Sequence, residues 1–353
     1  MYANSNLAFA VPEAARVAED AALVALCSGQ SLTQNESEAL FARLVAGDLP
    51  DTSIAAMLVA LRLKGETADE MIGAARALRA ADVDFPRPDY LFADSCGTGG
   101  DGSGSINVST AVAFVAAAAG LPVAKHGNRS VTSRCGSADV LEQLGAKLDI
   151  APLASRRILD QVGVCFLFAP AYHPGLRHAG PVRRMLKVRT IMNLLGPCVN
   201  PAEPGVQLLG VADQALLEPV ARTLAAVGVR RALVVHGSGL DEVALHGETQ
   251  ALRLFGGALE PLVITPEDAG LERRPVAVLK GGGPEENAER LKALLMGYGV
   301  LAETEVVALN AGALLSTAGL APTLKEGVRT SIRLLRSGAA YDKLKRFIEA
   351  SNG

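Results

Sequence analysis

The sequence predicts an α/β protein: a small all-helical N-terminal domain, then a larger α/β domain with a central, mostly parallel sheet flanked by helices. Three observations carry this. Residues 13–81 space their apolar side chains by three and four, as in Leu40, Leu44 and Val45 or Ile54, Met57, Leu58 and Leu61, the period of an amphipathic helix. Pro86 and Pro88, in VDFPRP, disfavour a continuing helix and mark 82–89 as a linker or hinge. Beyond it, short apolar strands alternate with helical stretches, the rhythm of βα units.

The elements follow in order. Thr33 with Glu36 forms a capping box, Gly47 and Pro50 close that helix, and Thr67 before Ala68, Asp69 and Glu70 opens the next. Leu91–Cys96 is the first strand and runs straight into GTGGDGSG. A helix over Asn107–Ala119, capped by Asn, Ser or Thr, leads to a strand at Pro122–Lys125. Helices follow at Ser137–Leu144 and at Pro152–Val162, with Pro at the first helical position, then a strand at Val164–Phe168. Between Tyr172 and Pro201 the alternation breaks into a segment rich in Arg, Pro and amides, expected to leave the sheet. It resumes with a strand at Leu208–Ala212, a helix at Leu216–Val227 and a strand at Arg231–His236 ending in HGSGLDE. The remainder, through Val276–Leu279, a helix at Glu285–Leu295, Val306–Ala308 and a C-terminal amphipathic helix, reads as framework.

Composition narrows the function. The 353 residues, 49% hydrophobic and 20% charged, can bury the cores of two domains. With 34 basic against 37 acidic residues the net charge is −3, without the basic excess that a nucleic-acid partner requires. Five scattered cysteines with no CxxC pair indicate neither a disulfide framework nor a zinc site. The first basic residue is Arg16, and the longest apolar run, Ala111–Ala119, is too short to span a bilayer; a soluble, cytoplasmic protein with no membrane partner is expected.

The chemistry concentrates between Asp94 and Asp139. Glycines at 97, 99, 100, 102 and 104 let consecutive N–H groups converge on an anion, which points to phosphate. Asp101 and Ser105 lie in this loop, and Asn107, Ser109 and Thr110 stand at the start of the next helix, where free N–H groups attract phosphate. Plain N-capping needs only one of those three. No Gly-Lys-Ser/Thr closes the loop and no dinucleotide fingerprint is present. Lys125, His126, Asn128, Arg129 and Ser130 follow the next strand, at the edge where open α/β sheets hold ligands; they suit a phosphorylated sugar, or a solvated turn. Of Arg183, Arg184 and Arg189, Arg183 could clamp a carboxylate bidentately. Asp241 and Glu242, in a loop rather than on a strand, offer hard oxygen ligands to Mg²⁺ held mainly by substrate phosphates.

GTGGDGSGSINVST, VAKHGNRSVTS, GSADVLEQLGA, FLFAPAYHPGLRHAGPVRRML, RTIMNLLGPCVNPA and VVHGSGLDE, in this order and spacing, closely resemble the anthranilate phosphoribosyltransferase family of tryptophan biosynthesis. The resemblance runs from LRLKGETADE (Leu61–Glu70) to the end of the chain. It implies transfer of the 5-phosphoribosyl group from phosphoribosyl pyrophosphate to the amine of anthranilate, with Mg²⁺ and release of pyrophosphate. It also implies an active site in the cleft between the domains, and a homodimer through the helical domain. The domains implied are 1–85, completed by the inserted segment at about 174–200, and 86–173 with 201–353. Carried over by position, Gly97, Gly100, Asp101, Ser105, Asn107, Val108, Ser109, Thr110, Lys125, Asn128, Arg129, Ser130, Ser133 and Ser137 would bind phosphoribosyl pyrophosphate. Gly97, Asn128 and Arg183 would meet anthranilate, Arg183 at its carboxylate, with His126, Ala169, Pro170, Tyr172 and His173 along its path. Ser109, Asp241 and Glu242 would hold Mg²⁺.

This sequence departs from the family pattern in three places: HGSGLDE is one residue short before its acids, Met192 replaces the usual Phe, and Cys198 the usual Leu. The mechanism expected is electrostatic, with no single indispensable general acid or base and an orienting role for His126. A pyrimidine nucleoside phosphorylase of related fold, or a non-catalytic nucleic-acid-binding relative, are the rival readings.

Overall fold

A computed structural model describes residues 21–130 and 134–353. The helical expectation for 13–20 lies outside them. Helical residues 21–27 precede the helices Gln34–Ala46, Asp51–Lys64 and Ala68–Ala80. Thr33 with Glu36, and Thr67 with Glu70, both close reciprocal capping boxes, and Gly47 ends its helix at φ 83°, which a Cβ would oppose. Glu70 does more than cap. Fully buried, it accepts from the Leu32 N–H at 3.0 Å and from Lys64 Nζ at 2.9 Å, tying its helix to Asp51–Lys64 and to the connector before Gln34–Ala46.

The strands β1 (Ala93–Gly97), β2 (Val123–Gly127), β3 (Val164–Phe168), β4 (Val206–Gly210), β5 (Arg231–His236), β6 (Thr249–Phe255) and β7 (Ala258–Ile264) form one sheet, ordered β3-β2-β1-β4-β5-β6-β7. The first five of that order pair in parallel; β6 and β7 are antiparallel. Because strand side chains alternate, the sheet divides two cores. Leu208, Leu233 and Val235 face the one holding helices Val108–Ala118 and Leu301–Ala318. Leu209, Ala232 and Val234 face the other, which continues through helix Leu217–Ala226, Val182, Ile191 and Leu195 into Phe41, Met57 and Met71 of the N-terminal helices. Each such Leu contributes about 1.5–3 kcal/mol when fully buried.

The segment after β3 leaves the sheet, as its composition predicts, and carries short helices at Gly180–Leu186 and Ile191–Leu195. Three features go beyond the sequence reading, which gave them no element type. The β6–β7 hairpin turns on Gly256 and Gly257, φ 57° and 84°, two left-handed residues that suit a tight hairpin turn. Val276–Leu279 is a 3₁₀ turn, and Val306–Ala308 lies inside the 18-residue helix Leu301–Ala318, so buried around its circumference that it shows no amphipathic period. Among the described residues no helix is long and apolar enough to cross a membrane.

Candidate functional site

The parallel strands all deliver their carboxyl ends to one edge. There β1 opens into the glycine loop, β2 into His126–Ser130, β3 into Ala169–His173 and β5 into the loop of Asp241 and Glu242. Together with the inserted segment they enclose a cleft of about 350 Å³.

Its floor is the glycine loop. Gly99, Gly100, Gly102 and Gly104 all sit at φ between 57° and 75°. Gly97 and Gly210, paired in register at the ends of β1 and β4, leave room instead for Asp241: a Cβ on Gly210 would stand 1.5 Å from the Asp241 carbonyl oxygen. Asp241 Oδ2 accepts from the Gly99 N–H at 2.7 Å, so the acidic loop and the glycine loop hold each other. Above them Arg189 reaches from the inserted segment to the Gly100 carbonyl at 3.3 Å. Lys125 is buried and donates to the Ser95 carbonyl at 2.6 Å and to Ser109 Oγ at 3.1 Å, bringing its charge to the start of helix Val108–Ala118. Thr110 Oγ1, buried at the same helix start, has no protein partner and faces the cleft.

The acids crowd one another. Burial and the neighbouring Asp101 push Asp241 up to about 7. Burial, then Asp241, raises Glu242 well above the carboxylate range. Such a group favours a cation. Among the described residues no cluster of three or more His, Cys, Asp or Glu side chains could chelate a metal by itself. Two or three hard oxygens beside a glycine loop whose N–H groups can converge on an anion fit Mg²⁺, which keeps most of its shell for phosphates and water.

Across the cleft, His126 and His173 form part of the wall. His126 Nδ1 donates to the Gly196 carbonyl at 3.1 Å and its Nε2 meets His173 Nε2 at 3.0 Å. Burial, then His173, lowers His126 well below the ordinary imidazole value, so the ring is neutral. Arg183 stands on helix Gly180–Leu186 and lines the same cleft. No hydrogen bond or carboxylate engages its guanidinium among the described residues, and burial alone draws it below its ordinary value.

Of the sequence-predicted residues, Gly97, Gly100, Asp101, Ser105, Asn107, Val108, Ser109, Thr110, Lys125, His126, Asn128, Arg129, Ser130, Ser137, Ala169, His173, Arg183, Asp241 and Glu242 all line the cleft. Ser133 lies outside the described residues. Two do not reach it. Tyr172 is 2% exposed and packs its ring against Phe85 behind the wall, and Pro170 is exposed, outside the cleft. Arg129 borders the cleft, but Glu142 holds its guanidinium at 2.6 and 2.9 Å, over the Phe168 ring. Asn107 is not a side-chain cap: its amide donates to the Cys135 carbonyl and accepts from Asn287 at 3.0 Å. Asn287 escapes the sequence reading. It also accepts from the Gly282 N–H, clasping Gly281–Gly283 against Gly104 and Ser105. The three consecutive glycines at 281–283 are the signal that could have exposed it.

Comparison with known proteins agrees with this geometry. Residues 21–81 match the glycosyl transferase family helical bundle domain, and residues 89–341 match the glycosyl transferase family a/b domain. An anthranilate phosphoribosyltransferase of Sorangium cellulosum is 58% identical over 331 residues, covering 94% of this chain and 95% of that protein. One from Yersinia pestis is 51% identical over 319 residues, covering 90% and 96%. The crystal structure of anthranilate phosphoribosyltransferase from Thermus thermophilus superposes with a TM-score of 0.89 at 42% identity, covering 94% of this chain and 99% of that one. A Saccharomyces cerevisiae anthranilate phosphoribosyltransferase in complex with PRPP and Mg gives 0.87 at 27% identity, covering 97% and 99%.

Proposed function

The chain belongs to the anthranilate phosphoribosyltransferase family, and we propose how its own residues carry out that family's reaction. The enzyme transfers the 5-phosphoribosyl group from phosphoribosyl pyrophosphate to the amine of anthranilate, releasing pyrophosphate, in tryptophan biosynthesis. In our reading the N–H groups of Gly97–Gly104 and the start of helix Val108–Ala118 cradle the pyrophosphate, with Lys125, Ser109 and Thr110 beside it. As the bond to the anomeric carbon breaks, negative charge grows on the leaving pyrophosphate. Donors fixed in advance stabilise it without reorganising.

Ser109, Asp241 and Glu242 would hold Mg²⁺, with Asp101 facing them; bound there, the cation neutralises charge developing on the phosphates. Anthranilate would enter along His126 and His173 and present its carboxylate to Arg183. The unpaired, part-buried Arg183 guanidinium facing the cleft is the observation that carries the acceptor reading. A pyrimidine base would offer this guanidinium only neutral carbonyl oxygens, whereas a carboxylate matches its charge and its bidentate geometry. Both nitrogens of the neutral His126 ring are engaged, so the ring orients the acceptor and is no general base. Fixing the acceptor against the ribose contributes on the order of 7 kcal/mol or more at best.

The helical domain in this reading comprises 1–85 together with about 174–200, and 86–173 with 201–353 makes the α/β domain. Leu63, Met185 and Val188, 81%, 68% and 55% exposed on the helical part, support a homodimer through that surface. The absence of any disulfide among Cys27, Cys96, Cys165 and Cys198 suits the reducing cytoplasm. The test is loss of anthranilate fluorescence on mixing with phosphoribosyl pyrophosphate. Turnover should stop with EDTA and return with Mg²⁺; turnover indifferent to EDTA contradicts the cation assignment.

A further inference from the structure

The histidine pair does not end at the cleft wall. His173 Nδ1 hydrogen-bonds Asp82 Oδ1, the first residue of the linker that joins the N-terminal helices to the sheet. A continuous buried chain therefore runs from the Gly196 carbonyl through His126 and His173 to Asp82. His173 and His126 are 4% and 6% exposed, and the Asp82 side chain 9%.

Its partners assign the protons. A carbonyl can only accept, so His126 Nδ1 carries hydrogen and the neutral ring offers Nε2 as an acceptor. His173 Nε2 must then be the donor to it. What remains is a single proton shared between His173 Nδ1 and Asp82 Oδ1. Without Asp82, only the His126 contact holds the His173 ring and its proton in place. If the proton moved to Nδ1, two lone pairs would oppose each other at the His126 contact. The same stretch is tied a second time: the Val83 N–H donates to the Tyr172 carbonyl at 2.8 Å, one residue before His173. The other Asp82 oxygen is buried with no hydrogen-bond partner, a cost that the His173 contact, with the nearby Arg79 charge, offsets.

We propose that Asp82 is a positioning residue for the acceptor site: from the domain linker it holds the orientation of His173 and reinforces the tautomer that the Gly196 carbonyl sets through His126, and so couples the linker to the wall along which the acceptor binds. This rests on the reading of the two histidines as that wall. Asp82 does not line the cleft and reaches it only through His173 and His126.

The experiment is a steady-state fluorescence assay of the full-length enzyme with Mg²⁺, varying anthranilate and phosphoribosyl pyrophosphate separately. Asp82→Ala should raise the anthranilate KM about tenfold or more, the loss expected for one buried hydrogen bond, while the donor KM stays within about twofold. Asp82→Asn, whose amide can donate to His173 Nδ1 and keep the proton on His173 Nε2 directed at His126, should restore most of the acceptor affinity. In a His173→Phe background Asp82→Ala should add nothing, because the chain is already cut. An unchanged anthranilate KM in Asp82→Ala, when His173→Phe raises it, overturns the proposal. So do effects that multiply in the double variant, or a loss of both substrates that Asp82→Asn does not rescue. If His173→Phe itself leaves the anthranilate KM unchanged, the acceptor-wall reading fails, and the proposal with it.

Discussion

Gly210→Ala should disable the enzyme from a residue that touches neither substrate. Gly210 ends β4 beside Gly97 of β1, and Asp241 packs directly over both. The new Cβ would lie 1.5 Å from the Asp241 carbonyl oxygen and 2.1 Å from its carbon, where real contacts do not fall under 3.0 Å. The acidic loop must therefore retreat by about 1.5 Å, and the Gly99 N–H bonded to Asp241 Oδ2 carries that shift into the glycine loop. Overpacking of this kind costs about 1–3 kcal/mol of stability. Misplacing catalytic groups by about 1 Å costs about 100-fold in rate. We expect kcat/KM for phosphoribosyl pyrophosphate to fall by about that factor, measured by anthranilate fluorescence at saturating Mg²⁺ on protein shown by circular dichroism to be folded. Gly283→Ala is the control: no atom lies within 4 Å of its Cβ and its φ is −76°, so its kcat/KM should stay within about twofold. A folded Gly210→Ala enzyme with wild-type kcat/KM would refute the mutual support of the two loops.

Two further outcomes concern stability and one concerns chemistry. Glu70→Ala leaves Lys64 and the Leu32 and Thr67 N–H groups without their buried acceptor, and should cost about 3–5 kcal/mol in denaturant unfolding; a loss under about 1 kcal/mol contradicts this. His126 binds its proton less readily folded than unfolded, so the unfolded chain takes up more protons below its value of about 6.5. Stability should therefore drop from pH 6.5 to 5.5, by at most about 1.4 kcal/mol from this residue, and His126→Gln should flatten that slope. Lys125→Met removes a cation fixed beside Ser109 at the proposed pyrophosphate cradle and should lower kcat by about 10²–10³, seen in single-turnover kinetics.

Much of the lining of the candidate site was readable because its signals are local. Consecutive glycines, a strand before them and polar residues after them sit within a dozen positions, and backbone chemistry alone ties that pattern to phosphate. Capping boxes at Thr33 and Thr67 were legible for the same reason. What stayed hidden depends on long-range contacts. The Asn107–Asn287 bond spans 180 positions, Arg189 meets Gly100 across 89, and Asp82 reaches His173 across 91. Nothing in the local sequence of Asp82 separates it from any linker acid. Tyr172 misled in the opposite direction: its place in the motif beside His173 suggested the acceptor path, but the short helix Ala169–Tyr172 turns it into the core. The β6–β7 hairpin had its signal in Gly256–Gly257, with strands too exposed along β7 to show a buried run.

The central claim is that a helical-side cation receives the acceptor while the glycine loop holds the donor. Arg183→Ala tests it most directly, through equilibrium binding of anthranilate and of phosphoribosyl pyrophosphate with Mg²⁺, measured separately. The account predicts that anthranilate affinity falls about tenfold or more, as loss of a charge-assisted hydrogen bond implies, with donor affinity unchanged. Undiminished anthranilate binding by Arg183→Ala, or an equal loss for both ligands, would contradict it.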